Sequence, residues 1–125
     1  MIWQAILNLT PDSFSDGGSY KSVEDLSGKI QSLFESGVRY FDFGAQSTAP
    51  SAAKIDYFEE MKRFKSLFYP LLLKKDILDI FSVSHLSFDT YRPETIHDIF
   101  DKFKQDGVIY KSFIWNDVSG LVDSH

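Results

Sequence analysis

Three short polar residues, Asn8, Asp89 and Asn116, each stand at the end of an apolar run, where a side chain can meet a ligand arriving from the loop side. The carboxamide of Asn8 can offer its carbonyl oxygen to a hard cation such as Mg²⁺. Behind it, Thr10-Pro11-Asp12-Ser13-Phe14-Ser15-Asp16-Gly17-Gly18 supplies hydroxyls and backbone amides able to hold an anion, although the same residue types also make plain turns. Asp89 before Thr90 could equally cap a helix, and Asn116-Asp117 could be turn chemistry. A fourth polar stretch, Gly44-Ala45-Gln46-Ser47-Thr48, closes another apolar run. The three histidines, His85, His97 and His125, have no zinc-ligand spacing on a common element.

The elements that must position these residues follow from hydrophobic period and punctuation. Ile2 to Leu9 and Val38 to Phe43 read as strands, His85 to Asp89 alternates as a third, and Val108 to Trp115 reads as a fourth. Between them, Ser22 and Asp25 open a helix that runs through Leu26, Ile30, Leu33 and Phe34 to Gly37. A second begins near Lys54, with Phe58, Met61, Phe64, Phe68 and Leu71 on one face. Pro70 should kink it, and Lys74 and Lys75 should complement the dipole at its end. Asp76 to Val83 lacks a clear period and reads as a connection with some helical character. Pro93 starts a third helix whose apolar face is Ile96, Ile99, Phe100 and Phe103, closed by Gly107. The order βαβαβαβ calls for a parallel sheet with right-handed crossovers, whose strand carboxyl ends gather Asn8, Asp89, Asn116 and the Gly44 to Thr48 stretch at one site.

Composition narrows the function classes. The 125 residues favour one domain, and a 43% hydrophobic, 16% aromatic chain can bury a core. A net charge of -5, with Lys62-Arg63-Phe64-Lys65 as the one basic cluster, gives no footing for nucleic acid. Phe58, Phe64, Phe100 and Phe103 read as core residues rather than a base-stacking platform, and Lys62 and Lys65 as a solvated helix face. With no cysteine, no leader and no run near the roughly 20 residues that span a bilayer, the expected location is the cytoplasm, without a membrane anchor.

The order of the residues carries more than their types. Asn8-Leu9-Thr10-Pro11-Asp12-Ser13-Phe14-Ser15-Asp16-Gly17-Gly18 closely resembles the first signature of the dihydropteroate synthases, folate-pathway members of the pterin-binding (β/α)₈-barrel family. Asp42 to Pro50 resembles the family's second signature, Leu86 to Pro93 its third strand end and Trp115 to Gly120 its fourth, in family order. The resemblance implies the α/β fold of a TIM barrel with about four βα units present, so that residues 1–125 form the N-terminal half of a barrel that takes about 250 residues in full. It also implies condensation of p-aminobenzoate with 6-hydroxymethyl-7,8-dihydropterin diphosphate. On that basis Asn8 would ligate Mg²⁺, Asp89 and Asn116 would hydrogen-bond the pterin, and Phe14, Asp16 and Thr48 would come from loops enclosing p-aminobenzoate and the diphosphate.

Two positions depart from the family pattern: Ala49 stands where arginine is usual, and Gln46 where glutamate is common. Alanine lacks the planar cationic fork that arginine offers an anion. A half barrel would also leave its first and last strands as edges and expose an apolar face. Either a longer chain, a second copy or a separate polypeptide would have to cover them. A non-catalytic pterin-binding subunit therefore stands beside the synthase reading. A pterin-binding methyltransferase is a third, disfavoured by the Thr10 to Gly18 motif.

Overall fold

Four runs of five residues each become strands: β1 Gln4–Asn8, β2 Tyr40–Gly44, β3 His85–Asp89 and β4 Ser112–Asn116. They pair side by side in chain order, all parallel. The computed structural model describes residues 3–10, 22–45 and 54–117.

Helices return the chain between strands. In α1, Val23–Glu35, the Ser22 side chain accepts from the Asp25 N–H at 3.2 Å, as its cap spacing predicts. The helix ends at Gly37, whose φ of 104° suits a residue without Cβ. Asp56 caps α2, Tyr57–Arg63, by accepting from the Glu59 N–H at 2.8 Å. Pro70 has no N–H to continue that ladder. The chain widens into a π turn over Phe64–Phe68, where the Tyr69 N–H reaches back to the Phe64 carbonyl, and then tightens into a 3₁₀ turn over Tyr69–Leu73.

Two expectations need correction here. Asp76 to Val83 is no loose connection: Lys75–Ser82 forms a helix, α3, burying Ile77, Ile80 and Phe81 at i, i+3 and i+4. Lys74 closes the Tyr69–Leu73 turn at the end of the second helical stretch, as expected, while Lys75 opens α3, and Lys74 pairs with Glu24 of α1 at 2.8 Å. Val108 to Lys111 is not strand. Gly107 closes α4, Pro93–Asp106, at φ 65°, and the Val108 N–H returns to the Phe103 carbonyl at 3.0 Å, which commits that backbone to the helix cap.

The core lies on one face of the sheet. Leu7, Phe41, Phe43, Leu86 and Phe88 meet Leu26, Ile30, Phe64, Phe68, Phe81, Ile99 and Phe103 from the helical segments. Phe68 sits at its centre, with ring centroids 4.7 Å from Phe43, 5.4 Å from Phe88 and 6.0 Å from Phe103. Two aromatics expected in this core are not in it: Phe58 is 77% exposed and Phe100 is 37% exposed at the rim. One helical layer on one face, with strands in sequential order, is the winding of a closed barrel rather than of a doubly wound sheet, which carries helices on both faces.

The opposite face holds Gln4, Ile6, Asn8, Tyr40, Asp42, Gly44, His85, Ser87, Asp89, Ser112, Ile114 and Asn116, because residues two apart share a face. The expected apolar surface is thus a polar one, interrupted by Ile6 and Ile114. Emptying the centre of the covered face should be costly. Phe68→Ala removes a ring with 0% exposure and should lower the unfolding free energy by about 3–5 kcal/mol, read as a fall in the urea midpoint at unchanged m-value.

Candidate functional site

Parallel pairing with matched strand lengths brings the last residues of all four strands into one row. Asn8 stands opposite Gly44, Gly44 opposite Asp89, and Asp89 opposite Asn116. The three candidate residues Asn8, Asp89 and Asn116 therefore share one register position and one face of the sheet. The ladder continues past the row on both sides, the Leu9 N–H reaching the Gly44 carbonyl at 2.6 Å and the Thr90 N–H the Asn116 carbonyl at 3.3 Å. Phe14, Asp16 and Thr48, expected from the two loops, lie outside the described residues.

Gly44 gives this row its room. A Cβ there would stand 3.1 Å from the Asp89 Cβ and 3.4 Å from its Oδ2, so any larger residue would displace the carboxylate. One pleat below, Asp42 is 3% exposed and accepts from the Ser87 hydroxyl and from the Asn116 carboxamide. Burial pushes the Asp42 carboxyl above its usual value, and those two donors hold it back in part. At Asp89, burial first, then the charge of Asp42, then that of Glu60, pushes the carboxyl up to about 6. The result is an acceptor-rich floor of two carboxylates and a carboxamide, suited to a ligand that presents several N–H donors.

Helix α2 reaches this end of the sheet from outside. Glu60, 1% exposed, accepts from Thr90 Oγ1 at 3.1 Å, Thr95 Oγ1 at 2.6 Å and Arg92 Nη1 at 3.1 Å. One turn on, Arg63 donates to the Ala45 carbonyl at 2.8 Å and pairs with Glu59 at 2.9 Å. Sequence reasoning missed both Asp42 and Glu60 as contributors. Asp42 could have been found, since it lies two residues before Gly44 and so on the same face. Nothing local marks Glu60 apart from Glu59.

Among the described residues, no cluster of three or more His, Cys, Asp or Glu could by itself hold a metal ion. His85 Nδ1 lies 2.9 Å from Ser112 Oγ at the far end of the strands, and His97 is exposed on α4. None of the described helices is long and apolar enough to cross a membrane.

With this geometry in hand, comparison with known proteins is decisive: the family described as pterin binding enzyme matches residues 4–124. The chain belongs to the pterin-binding enzymes. A dihydropteroate synthase of Streptococcus pyogenes is 37% identical over 90 residues, covering 72% of this chain and 31% of that relative. Among solved structures, the Clostridium difficile dihydropteroate synthase in the presence of pteroic acid has a TM-score of 0.67 at 28% identity, covering 96% of this chain and 40% of that one. The Anaplasma phagocytophilum enzyme with bound 6-hydroxymethylpterin-monophosphate has a TM-score of 0.58 at 33% identity, covering 97% and 41%. The pterin-binding chain described here thus spans under a third of the first relative and about two fifths of the two structures. The fold is of the (β/α)₈ type, with four parallel strands and the three helical crossovers between them among the described residues.

The raised carboxyl at Asp89 has a consequence for stability. Its folded pKa of about 6 lies above the usual 3.8, so between those values the folded chain keeps a proton that the unfolded chain has lost. This contribution is complete below the lower value and gone above the upper, and unfolding free energy falls as pH rises through the window. Asp89→Asn should remove that part of the slope and leave the chain about 1–3 kcal/mol more stable at neutral pH, allowing for solvent screening of a partly exposed group. Urea unfolding of both chains across the window measures it, with Asp42 leaving a residual slope of the same sign.

Proposed function

We propose that this pterin-binding chain is the N-terminal half of a dihydropteroate synthase barrel, joining p-aminobenzoate to 6-hydroxymethyl-7,8-dihydropterin diphosphate. The row Asn8–Gly44–Asp89–Asn116 carries the reading, because it sets acceptors and a metal-capable carbonyl side by side at the strand ends. The two solved relatives with pteroic acid and with 6-hydroxymethylpterin-monophosphate support the ligand class.

In this reading Asp89 and Asn116 take the N–H donors of the pterin edge, with Asp42 beneath them. Breaking the C–O bond to diphosphate leaves an electron-poor CH₂. The aniline nitrogen attacks it, forms the C–N bond and gives up a proton. Little covalent work falls to the protein, whose task is to hold the departing anion and aim the amine. Asn8 alone is no metal cage. Its side-chain carbonyl oxygen is a hard donor of the kind Mg²⁺ takes, and would hold that ion together with the diphosphate. Such an ion supplies charge neutralisation of the leaving diphosphate. Phe14, Asp16 and Thr48 are the further residues proposed to contribute to the p-aminobenzoate and diphosphate sites. The cytoplasm is the proposed location, supported by a cysteine-free sequence.

Both edges of the sheet, β1 and β4, call for completion. Four further strands from a longer chain are the favoured source, supported by the two-fifths coverage of the solved structures. Edge-to-edge pairing of two copies is the alternative. A second reading, pterin binding without turnover, is favoured by Ala49, which brings no cation to the second loop.

Calorimetric titration of the full chain with the dihydropterin diphosphate and Mg²⁺ tests the reading, followed by turnover with p-aminobenzoate. Binding should weaken by about tenfold or more in Asn116→Ala, as expected for loss of one hydrogen-bonding group facing the ligand. Binding with no turnover selects the second reading. A folded chain that binds neither pterin nor Mg²⁺-diphosphate overturns both.

A further inference from the structure

Thr90 follows Asp89 directly, one residue past the point where Asp89 pairs with Asn116 across β3 and β4. Every polar group of this residue, 2% exposed, is engaged. Its N–H donates to the Asn116 carbonyl at 3.3 Å, and its carbonyl accepts from Trp115 Nε1 at 2.7 Å. Its hydroxyl donates to Glu60 Oε1 at 3.1 Å and accepts from the Arg92 N–H at 3.1 Å. The hydroxyl can point in only one direction, and Glu60 decides which.

Glu60 does more than anchor one hydroxyl. The same Oε1 takes Thr95 from the first turn of α4 and the guanidinium of Arg92, whose other nitrogen reaches the Ile55 carbonyl and, at 2.7 Å, the Tyr91 hydroxyl. A single buried oxygen thus ties the whole turn between β3 and α4 to the helix on its far side. Groups joined through one acceptor in a low-dielectric setting move together, and freeing one loosens the rest. An ordinary core ion pair would need no such convergence on the residue after the ligand-facing aspartate.

We propose that Glu60 is a positioning residue of the pterin site: it touches no ligand, but fixes Thr90 and so sets Asp89 in line with Asn116. The proposal rests on the pterin reading for its ligand, and on the turn geometry alone for its mechanism.

Glu60→Gln keeps the size of the side chain and removes the charge that gathers three donors. Amide hydrogen exchange of the full chain reads the mechanism without any ligand. Thr90 and Arg92 amides should exchange about tenfold faster or more, while Phe41 and Phe43 amides keep their protection, the mark of a local opening. Thr95→Val, which deletes one of the three donors, should show the same pattern at smaller amplitude, and it serves where Glu60→Gln fails to fold. Unchanged turn amides overturn the proposal, and so does an equal acceleration at every core amide, which would mean a merely structural pair.

The second arm titrates 6-hydroxymethylpterin monophosphate. Glu60→Gln should bind it about tenfold more weakly, and should cost nothing further on an Asp89→Ala background, since coupled residues are not additive. The same loss in both backgrounds overturns the link to Asp89. If the wild-type chain binds no pterin at all, the ligand reading fails and the exchange data alone decide the role of Glu60.

Discussion

Parallel pairing is the constraint on which the rest of this structure depends. A parallel neighbour has to be reached by a crossover, so every strand in such a sheet points the same way and empties into its loop at the same end. Here the four strands have equal length and matched register, and their last residues fall into a single row. Polar side chains drawn from positions as far apart as 8 and 116 thus end in the same row across the sheet. The helices, on the other face, bury Phe41, Phe43, Phe64, Phe68, Phe81, Phe88 and Phe103 and leave the row accessible.

Three carboxylates lie within reach of that row, and the chain treats them differently. Glu60 receives two hydroxyls and a guanidinium, a pairing that satisfies the charge where it is buried. Asp42 has only neutral donors, a hydroxyl and a carboxamide, and Asp89 faces the charges of the other two. The floor of the site is therefore held in an unfavourable electrostatic state, first by burial and then, at Asp89, by the neighbouring charges. A ligand bringing N–H donors would relieve it. The arrangement trades folding stability for a surface already shaped for such a ligand, which is where strained electrostatics usually belongs.

The placement of Asn8, Asp89 and Asn116 at strand ends was legible in the sequence because each closes a run whose period marks a strand. The strand order was legible for the same reason, and Ser22, Gly37, Pro93 and Gly107 punctuated the helices as their chemistry requires. Other features were set by tertiary context. Lys75–Ser82 is too short for its period to stand out, yet Ile77, Ile80 and Phe81 find a core to enter. Phe58 has the right spacing for the buried face of α2, but it lies in the first turn and stays exposed while Met61 enters the core. Glu60 sits in a charged stretch with Glu59, Lys62 and Arg63, and only the fold tells the buried carboxylate from the exposed one. Burial of a charge is decided by partners about thirty residues away, at Thr90, Arg92 and Thr95, which no local pattern encodes.

The polar character of the uncovered face bears on how a barrel built from this half would be stabilised. TIM-barrel interiors are dominated by bulky branched side chains stacked in layers. These four strands offer only Ile6 and Ile114 to that interior, against Gln4, Asn8, Tyr40, Asp42, His85, Ser87, Asp89, Ser112 and Asn116. Closing the barrel over them would bury little apolar surface from this side, and would instead exclude water from hydrogen-bonding groups. The aromatic core, by contrast, already lies between sheet and helices within these residues. What the remaining strands would add is chiefly pairing for the edges β1 and β4 and a dry enclosure for the site, where each hydrogen bond to a ligand counts for more than it would in water. Stability and ligand containment are thus assigned to opposite faces of the same sheet.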